Sequence, residues 1–237
     1  MDLSRILVTG GSGLLGRELQ TLLPGALFPP TREFDVTNYP QMESYAAQHP
    51  LDLVLHAGAF TSPPLVDKNP LRALQVNVVG TANVVQLCAL HSARLVYIST
   101  DYVFAGDRGN YREEDPVNPV NKYSWSKLGG ECAVRMYDQA LIVRTSFGPV
   151  PFPYENAFKD QWTSRETVPV FARKLVGLLG INLTGVIHVG GERQTVLAYA
   201  RNIDPSRNIG ELSVASVPFK VPIDTSLCTE KYRKVIG

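Results

Sequence analysis

The chain has 237 residues, 44% of them hydrophobic, with 23 Lys plus Arg against 22 Asp plus Glu and a formal net charge of +1. That length suits one large core or a core with a small appended lobe, and the balanced charge, with no basic block, argues against a nucleic-acid backbone as partner. No run reaches the roughly 18 apolar residues of a membrane span, the N-terminal apolar run is short and ends in glycines, and Cys88, Cys132 and Cys228 stand far apart without a CxxC pair, so the expectation is a cytoplasmic protein without a disulfide framework or structural zinc.

In chain order, Arg5–Thr9 reads as a short buried strand, and Gly10–Gly16 as a tight turn into a helix that runs through Leu22. Ala26–Phe28 reads as a second short strand before Pro29 and Pro30. Leu51–His56 is a strand, Leu71–Leu90 a helix, Arg94–Ser99 a strand, Trp125–Tyr137 a helix and Ala140–Arg144 a strand. Pro149–Pro153 reads as a loop, Pro169–Leu179 as a helix and Gly185–Val189 as a strand. Short apolar strands alternating with longer helices predict an α/β fold, a Rossmann-like, doubly wound, mostly parallel sheet. Residues 1–147 form the expected nucleotide-binding core. Residues 148–237, interrupted by Pro205, Pro218 and Pro222, form a small substrate-binding region with elements returning to the core.

The first turn carries the nucleotide signal. Gly10, Gly13 and Gly16 have GxxGxxG spacing directly after the RILVT strand. The first glycine permits the turn, the second a close approach of a diphosphate, and the third tight packing of helix on sheet. Leu14 and Leu15 open the helix, whose free amides favour negative charge. No acidic residue ends the ALFPPTR segment, so Arg17 and Arg32 are candidates to meet a 2′-phosphate, and NADP is favoured slightly over NAD. Asp35 faces the adenine edge in one reading and caps a turn in the other. Ala57, Gly58, Ala59 and Thr61 follow the Leu51 strand and are small enough for a dinucleotide to lie across them, His56 reads as structural, and Asn77 holds backbone or water near the site or simply packs.

The chemical signal is Tyr123 and Lys127, four apart in NKYSWSK and so on one helical face, with Ser99 and Thr100 at a strand end upstream. Hydride arriving at a ketone creates negative charge on oxygen, which a nearby acid must neutralise. Tyr123 can give that proton, Lys127 can favour the phenolate and bind nicotinamide-ribose hydroxyls, and Thr100 can orient the carbonyl. Asp101 and Tyr102 follow in the same cleft, as substrate contacts or as turn caps.

Together ILVTGGSGLLGRELQ, FDVTN, LVLHAGAFT, VNVVGT, YISTDYVFAG, NPVNKYSWSKLGGE and LIVRTSF, with weaker echoes in DQWTSRET, GVIHVGG and VPIDTSL, resemble the extended short-chain dehydrogenase/reductase superfamily, and within it the dTDP-4-dehydrorhamnose reductase family. The resemblance implies reduction of a keto group on a nucleotide-activated sugar by NADP or NAD. It carries the catalytic trio onto Thr100, Tyr123 and Lys127. Cofactor contacts fall on Gly10, Gly13, Gly16, Asp35, Val36, Ala57, Ala59 and Thr61, and substrate contacts on Asp101, Tyr102, Arg144 and Phe147. Glu18 matches a glutamate that some members use at a magnesium-linked dimer contact, and a homodimer is implied by fold analogy. The same resemblance extends to the regulatory β subunit of methionine adenosyltransferase, which binds a nicotinamide cofactor while serving a protein partner. Only a short segment separates Ser146 from Asp160 where the family carries a longer one with its own helix, so the expected wall of the sugar site is reduced.

Overall fold

The strands that form the sheet are apolar runs buried on both faces, the pattern of a parallel sheet covered by helices. A computed structural model of the chain describes residues 2–237. The strands are β1 (Ile6–Thr9), β2 (Leu53–His56), β3 (Arg94–Ile98) and β4 (Ala140–Thr145). Short strands β5 (Phe147–Gly148), β6 (Asn156–Phe158), β7 (Trp162–Thr163) and β8 (Glu166–Thr167) then precede β9 (Gly185–Val189), β10 (Gln194–Thr195) and β11 (Gly210–Leu212). The central sheet has five strands in the order β1-β2-β3-β4-β9, all parallel.

Side chains alternate between two cores. Ile6, Val8, Val96 and Val143 face the side covered by α1 (Leu14–Leu22) and, later in the chain, by the Val168–Leu179 helix. Leu7, Val54, Leu95 and Ile142 face Met42 of α2 (Tyr39–Ala46) and the helices that follow it. After α3 (Pro63–Lys68) comes the continuous helix α4 (Pro70–His91), which buries Val84, Leu87 and Cys88 in this second core. By length and composition α4 could cross a membrane, yet these residues pack it against the sheet. Its Leu74–Val79 stretch is a π-helical turn, a feature common beside functional sites. The remaining helices are α5 (Lys122–Val134), α6 (Val168–Leu179), α7 (Val196–Ile203) and α8 (Glu230–Ile236).

Two elements differ from the sequence expectation. Only Leu27 of the expected Ala26–Phe28 strand pairs with the sheet, as a single parallel bridge to Leu7. Gly25, at φ +101°, turns the chain just before it, and Pro29 and Pro30 lack the N–H groups a longer ladder needs. The helix expected at Trp125 begins at Lys122, because the Asn121 side chain caps it by accepting the Ser124 amide at 2.9 Å. That earlier start places Tyr123 inside the helix.

Beyond β4 the chain builds a small lobe around Phe152, Ala157, Leu197, Ala200 and Ile209. The elements α6, β9 and α8 return to the main core; Tyr232 and Val235 of α8 pack there. The segment before α8 runs back across the lobe. It bridges Asp107 and Trp162 through Asp224, and Tyr111 through Leu227.

Between the sheet and α5 lies a buried ion pair. Arg144 Nη2 donates to Glu131 Oε2 at 2.8 Å and Arg144 Nε to Oε1 at 3.0 Å, with both side chains essentially inaccessible. Ser99 Oγ donates to the same carboxylate at 2.6 Å. Removing one member of such a pair leaves a buried charge unpaired. Glu131→Ala should lower the unfolding free energy by about 3–5 kcal/mol in urea titrations, whereas Glu131→Leu with Arg144→Met should recover most of the loss.

Candidate active site

In a parallel sheet the carboxyl ends of all strands share one edge, and ligands bind there where the strand order reverses. Here the chain leaves β1 toward the Leu27 bridge on one side and returns to β2 on the other. A cleft of about 1080 Å³ opens along this edge and continues into the small lobe. It brings together Gly10, Gly13, Leu14, Leu15 and Gly16 from the first turn, Ala57, Ala59 and Thr61 after β2, and Ser99, Thr100, Asp101 and Tyr102 after β3. Tyr123 and Lys127 of α5 and Phe147 of β5 complete the group.

The glycine turn is shaped for a close-fitting ligand. Gly10 sits at φ +76°, and a Cβ there would lie 2.7 Å from Gly58 Cα. A Cβ on Gly16 would lie 2.3 Å from the Gly10 carbonyl oxygen. The α1 N-terminus is capped by Gly13 with no side-chain partner, so its first amides are free for an anion. These features fit a dinucleotide diphosphate.

Behind this surface a buried hydrogen-bond chain holds the β2 loop. Burial pushes the His56 imidazole down to about 3, so the ring is neutral. Thr81 Oγ1 donates to the Asn77 carbonyl at 2.8 Å, so it accepts from His56 Nε2 at 3.1 Å. Nδ1 therefore accepts from Thr9 Oγ1 at 2.7 Å, and Thr9 Oγ1 accepts the Gly58 amide at 3.0 Å. His56 and Gly58 are thus structural, one step behind the cleft. Asn77 also stands behind it. Its side chain accepts the Phe60 amide at 2.7 Å and donates to the Phe60 carbonyl at 2.9 Å and to Ser126 Oγ at 2.8 Å. It clamps the loop to α5 rather than lining the cleft.

Asp35 caps a turn. Its Oδ1 accepts from the Thr37 amide at 2.9 Å and from Thr37 Oγ1 at 2.8 Å. Val36 packs against Gly80 of α4, where an added Cβ would lie 2.7 Å from Val36 Cγ2. Neither residue is among those lining the cleft. Arg17 Nε donates to the Ser12 carbonyl at 3.1 Å, and Arg32 is 83% exposed beside Glu33. Among the described residues no group of three His, Cys, Asp or Glu side chains could hold a metal ion, so Glu18 lies in no such cluster.

Arg144 corrects the sequence reading. It was expected to contact substrate, but it is 0% exposed, paired with Glu131, and lies 5.1 Å from the Phe104 ring centroid. A guanidinium on a buried strand must find its counter-charge inside the protein, and α5 supplies it.

At the chemical end, Lys127 Nζ donates to the Ile98 carbonyl at 2.8 Å and lies 4.2 Å from the Tyr97 ring centroid. Burial pulls its ammonium down to about 7, with Glu131 opposing. Burial pushes the Tyr123 phenol up, with the Thr100 hydroxyl and Arg165 opposing and Asp101 and Tyr102 adding to the rise. The expectation that Lys127 draws Tyr123 toward phenolate is therefore revised for the free protein. The Lys127 ammonium is turned onto a backbone carbonyl, and Arg165 is the cation that eases the phenol. Asp101 is buried, and its carboxyl is pushed up to about 6 by that burial against the Thr225, Arg165 and Thr100 interactions.

The cleft also contains residues that the sequence reading did not single out. Gln161 Nε2 donates to Tyr102 Oη at 2.9 Å and to the Pro222 carbonyl at 3.0 Å. Arg165 Nε donates to Ser146 Oγ at 3.3 Å and faces Tyr199. Phe152 and Tyr154 line the lobe side. The DQWTSRET and VPIDTSL segments contain Gln161, Arg165 and Thr225, but nothing in their spacing says that they meet.

Comparison with known proteins identifies relatives of the chain and of its fold. The dTDP-4-dehydrorhamnose reductase of Streptomyces griseus is 38% identical over 150 residues, covering 60% of this chain and 49% of that enzyme. The methionine adenosyltransferase 2 subunit beta of Bos taurus is 30% identical over 230 residues, covering 80% of this chain and 68% of that subunit. This chain thus matches about half the length of the curated reductase. The crystal structure of the Bacillus anthracis dTDP-4-dehydrorhamnose reductase in complex with NADP superposes with a TM-score of 0.87 at 27% identity, covering 97% of this chain and 91% of that one. Residues 4–172 match the RmlD substrate binding domain, and the chain belongs to that family.

Proposed function

We propose that the chain is an NAD(P)H-dependent reductase of a keto group on a nucleotide-activated sugar, of the dTDP-4-dehydrorhamnose reductase kind. The observation that carries this reading is the convergence of Thr100, Tyr123 and Lys127 in one cleft with an uncapped, glycine-lined helix N-terminus. A reduced nicotinamide supplies the hydride. The Leu14 and Leu15 amides at the start of α1 suit its diphosphate, Ala57 and Ala59 leave room beside it, and the Lys127 ammonium suits its ribose hydroxyls. Thr100 orients the substrate carbonyl. Tyr123 donates its phenolic proton as negative charge develops on that oxygen. Its raised pKa keeps the phenol protonated at neutral pH, and an alkoxide is basic enough to take the proton. Arg165 is the cation suited to the substrate's diphosphate, and the Phe152, Tyr154 and Tyr199 rings border the same side. Arg17 and Arg32, with no carboxylate ending the Leu27 segment, favour NADPH over NADH.

The β-subunit likeness supports a second reading, a cofactor-binding protein that serves a partner. Turnover separates the two. Purified protein with NADPH or NADH and a panel of nucleotide-linked 4-keto sugars should consume the nicotinamide absorbance. Tyr123→Phe should lower kcat by about 10²- to 10⁴-fold while cofactor affinity holds. Tight cofactor binding without turnover across the panel would favour the partner-serving reading instead. Arg165→Ala should raise KM for the nucleotide sugar by about tenfold or more, the loss of one charge-assisted contact, with a smaller effect on kcat.

Lys127 gives a test through stability. Its pKa falls from an ordinary 10.5 to about 7 in the fold, so between these values the unfolded chain binds more protons. The wild type should therefore gain stability as pH rises through that window and lose the gain as pH falls back to about 7. Urea unfolding at pH 7 and pH 9 should show this gain in the wild type and its absence in Lys127→Met.

A further inference from the structure

Thr100 has one hydroxyl proton, and in the free protein its hydrogen-bond acceptor is Asp101, with Tyr123 also facing it. Thr100 Oγ1 donates to Asp101 Oδ1 at 3.1 Å and accepts the Tyr102 amide at 3.2 Å. The other carboxylate oxygen, Oδ2, accepts from Thr225 Oγ1 at 2.6 Å. Asp101 is 2% exposed, so a neutral hydroxyl on each oxygen stands where water would otherwise solvate a charge.

Orienting a substrate carbonyl requires the Thr100 proton to point into the cleft. If Asp101 is ionised, turning the hydroxyl away strips the buried carboxylate of one of its two side-chain hydroxyl donors, which costs free energy. A proton on Oδ1 reverses the bond. The carboxyl O–H then donates to Thr100 Oγ1, which still accepts the Tyr102 amide, and the Thr100 proton is free. While the Thr225 hydroxyl donates to Oδ2, the carboxyl proton sits on Oδ1. We propose that Asp101 is a positioning residue whose carboxyl, protonated on Oδ1, releases the Thr100 hydroxyl to the substrate carbonyl. The reductase reading identifies what Thr100 then binds; the coupling of the two side chains rests on their geometry alone.

The groups facing Asp101 come from four segments: Thr100 and Tyr102 beside it in the chain, Tyr123 on α5, Arg165 before β8 and Thr225 before α8. Arg165 and the two hydroxyls favour the ionised carboxyl and burial favours the protonated one; burial prevails, raising it to about 6. The releasing form is thus complete below that pH and is lost as pH rises through it.

Two measurements test this. The first is kcat/KM for a nucleotide-linked keto sugar, at saturating reduced cofactor, against pH in the wild type and Asp101→Asn. The second needs no turnover: a ¹³C-carboxyl NMR titration of Asp101 in the wild type and Thr100→Val. In Asp101→Asn the amide N–H can donate to Thr100 while its oxygen accepts from Thr225, mimicking the protonated acid. The wild type should lose activity tenfold per pH unit above the Asp101 inflection, and Asp101→Asn should lack that step. Thr100→Val removes a donor to the ionised carboxyl and should move its titration upward. A step retained in Asp101→Asn, or a titration unmoved by Thr100→Val, would overturn the proposal. A shifted titration with no turnover of any keto sugar would support the coupling and overturn only the reductase reading. If Asp101→Asn fails to fold, the Thr100→Val titration decides.

Discussion

The Glu131 carboxylate is the point to which the chemical end of the molecule is tied. It sits on α5, accepts three hydrogen bonds from Arg144 on β4 and one from Ser99 at the end of β3. Lys127 lies one turn before it on the same helix and Tyr123 one turn further. The Arg144 guanidinium also donates to the Glu113 carbonyl at 3.3 Å, which brings in the loop beyond β3. A buried ion pair is weak evidence for stability, because desolvation offsets much of the attraction. Its value here is geometric. A helix fixed to the sheet at one charged point keeps the face that carries Tyr123 and Lys127 in register with the strand ends that carry Ser99 and Thr100.

A second constraint closes the site from the far end of the chain. The segment just before α8 pairs with the loop after β3 and with β7, and it delivers Thr225 to Asp101 and the Pro222 carbonyl to Gln161. Arg193 strengthens this junction through Asp224, at 2.8 Å. The lobe side of the cleft is therefore an assembly of three distant stretches. The glycine-turn side, in contrast, is built mainly from the turns after β1 and β2, with a hydrogen-bonded second layer of Thr9, His56, Thr81 and Asn77 behind them.

Burial has opposite effects on the groups of the site, and this shapes the chemistry. It holds the Tyr123 phenol protonated, lowers Lys127 to about 7 and raises Asp101 to about 6. The Tyr123 phenol is thus protonated in the free protein. Lys127 and Asp101 beside it are both moved toward neutrality, the direction in which burial shifts any ionisable group.

The sequence alone determined the layered α/β plan. Continuous apolar runs at RLVYI and ALIVRT can be buried only between two helical layers, and glycine spacing after RILVT permits only a tight, backbone-exposed turn. Tyr123 and Lys127 were legible for the same local reason, since four residues make one helical turn. Tertiary structure decided the rest. Arg144 reads as a polar residue beside a site, yet its strand is buried on both faces and the guanidinium turns to Glu131, 13 residues back along the chain. Asp35 finds a local turn donor before it can reach a ligand. Arg165 and Thr225 enter the cleft only because the lobe folds back across it, and their separation along the chain carries no local periodicity that could announce the meeting. Short-range hydrogen bonding and side-chain alternation are written residue by residue; counter-charges and donors for buried groups are chosen by whichever distant segment packs against them.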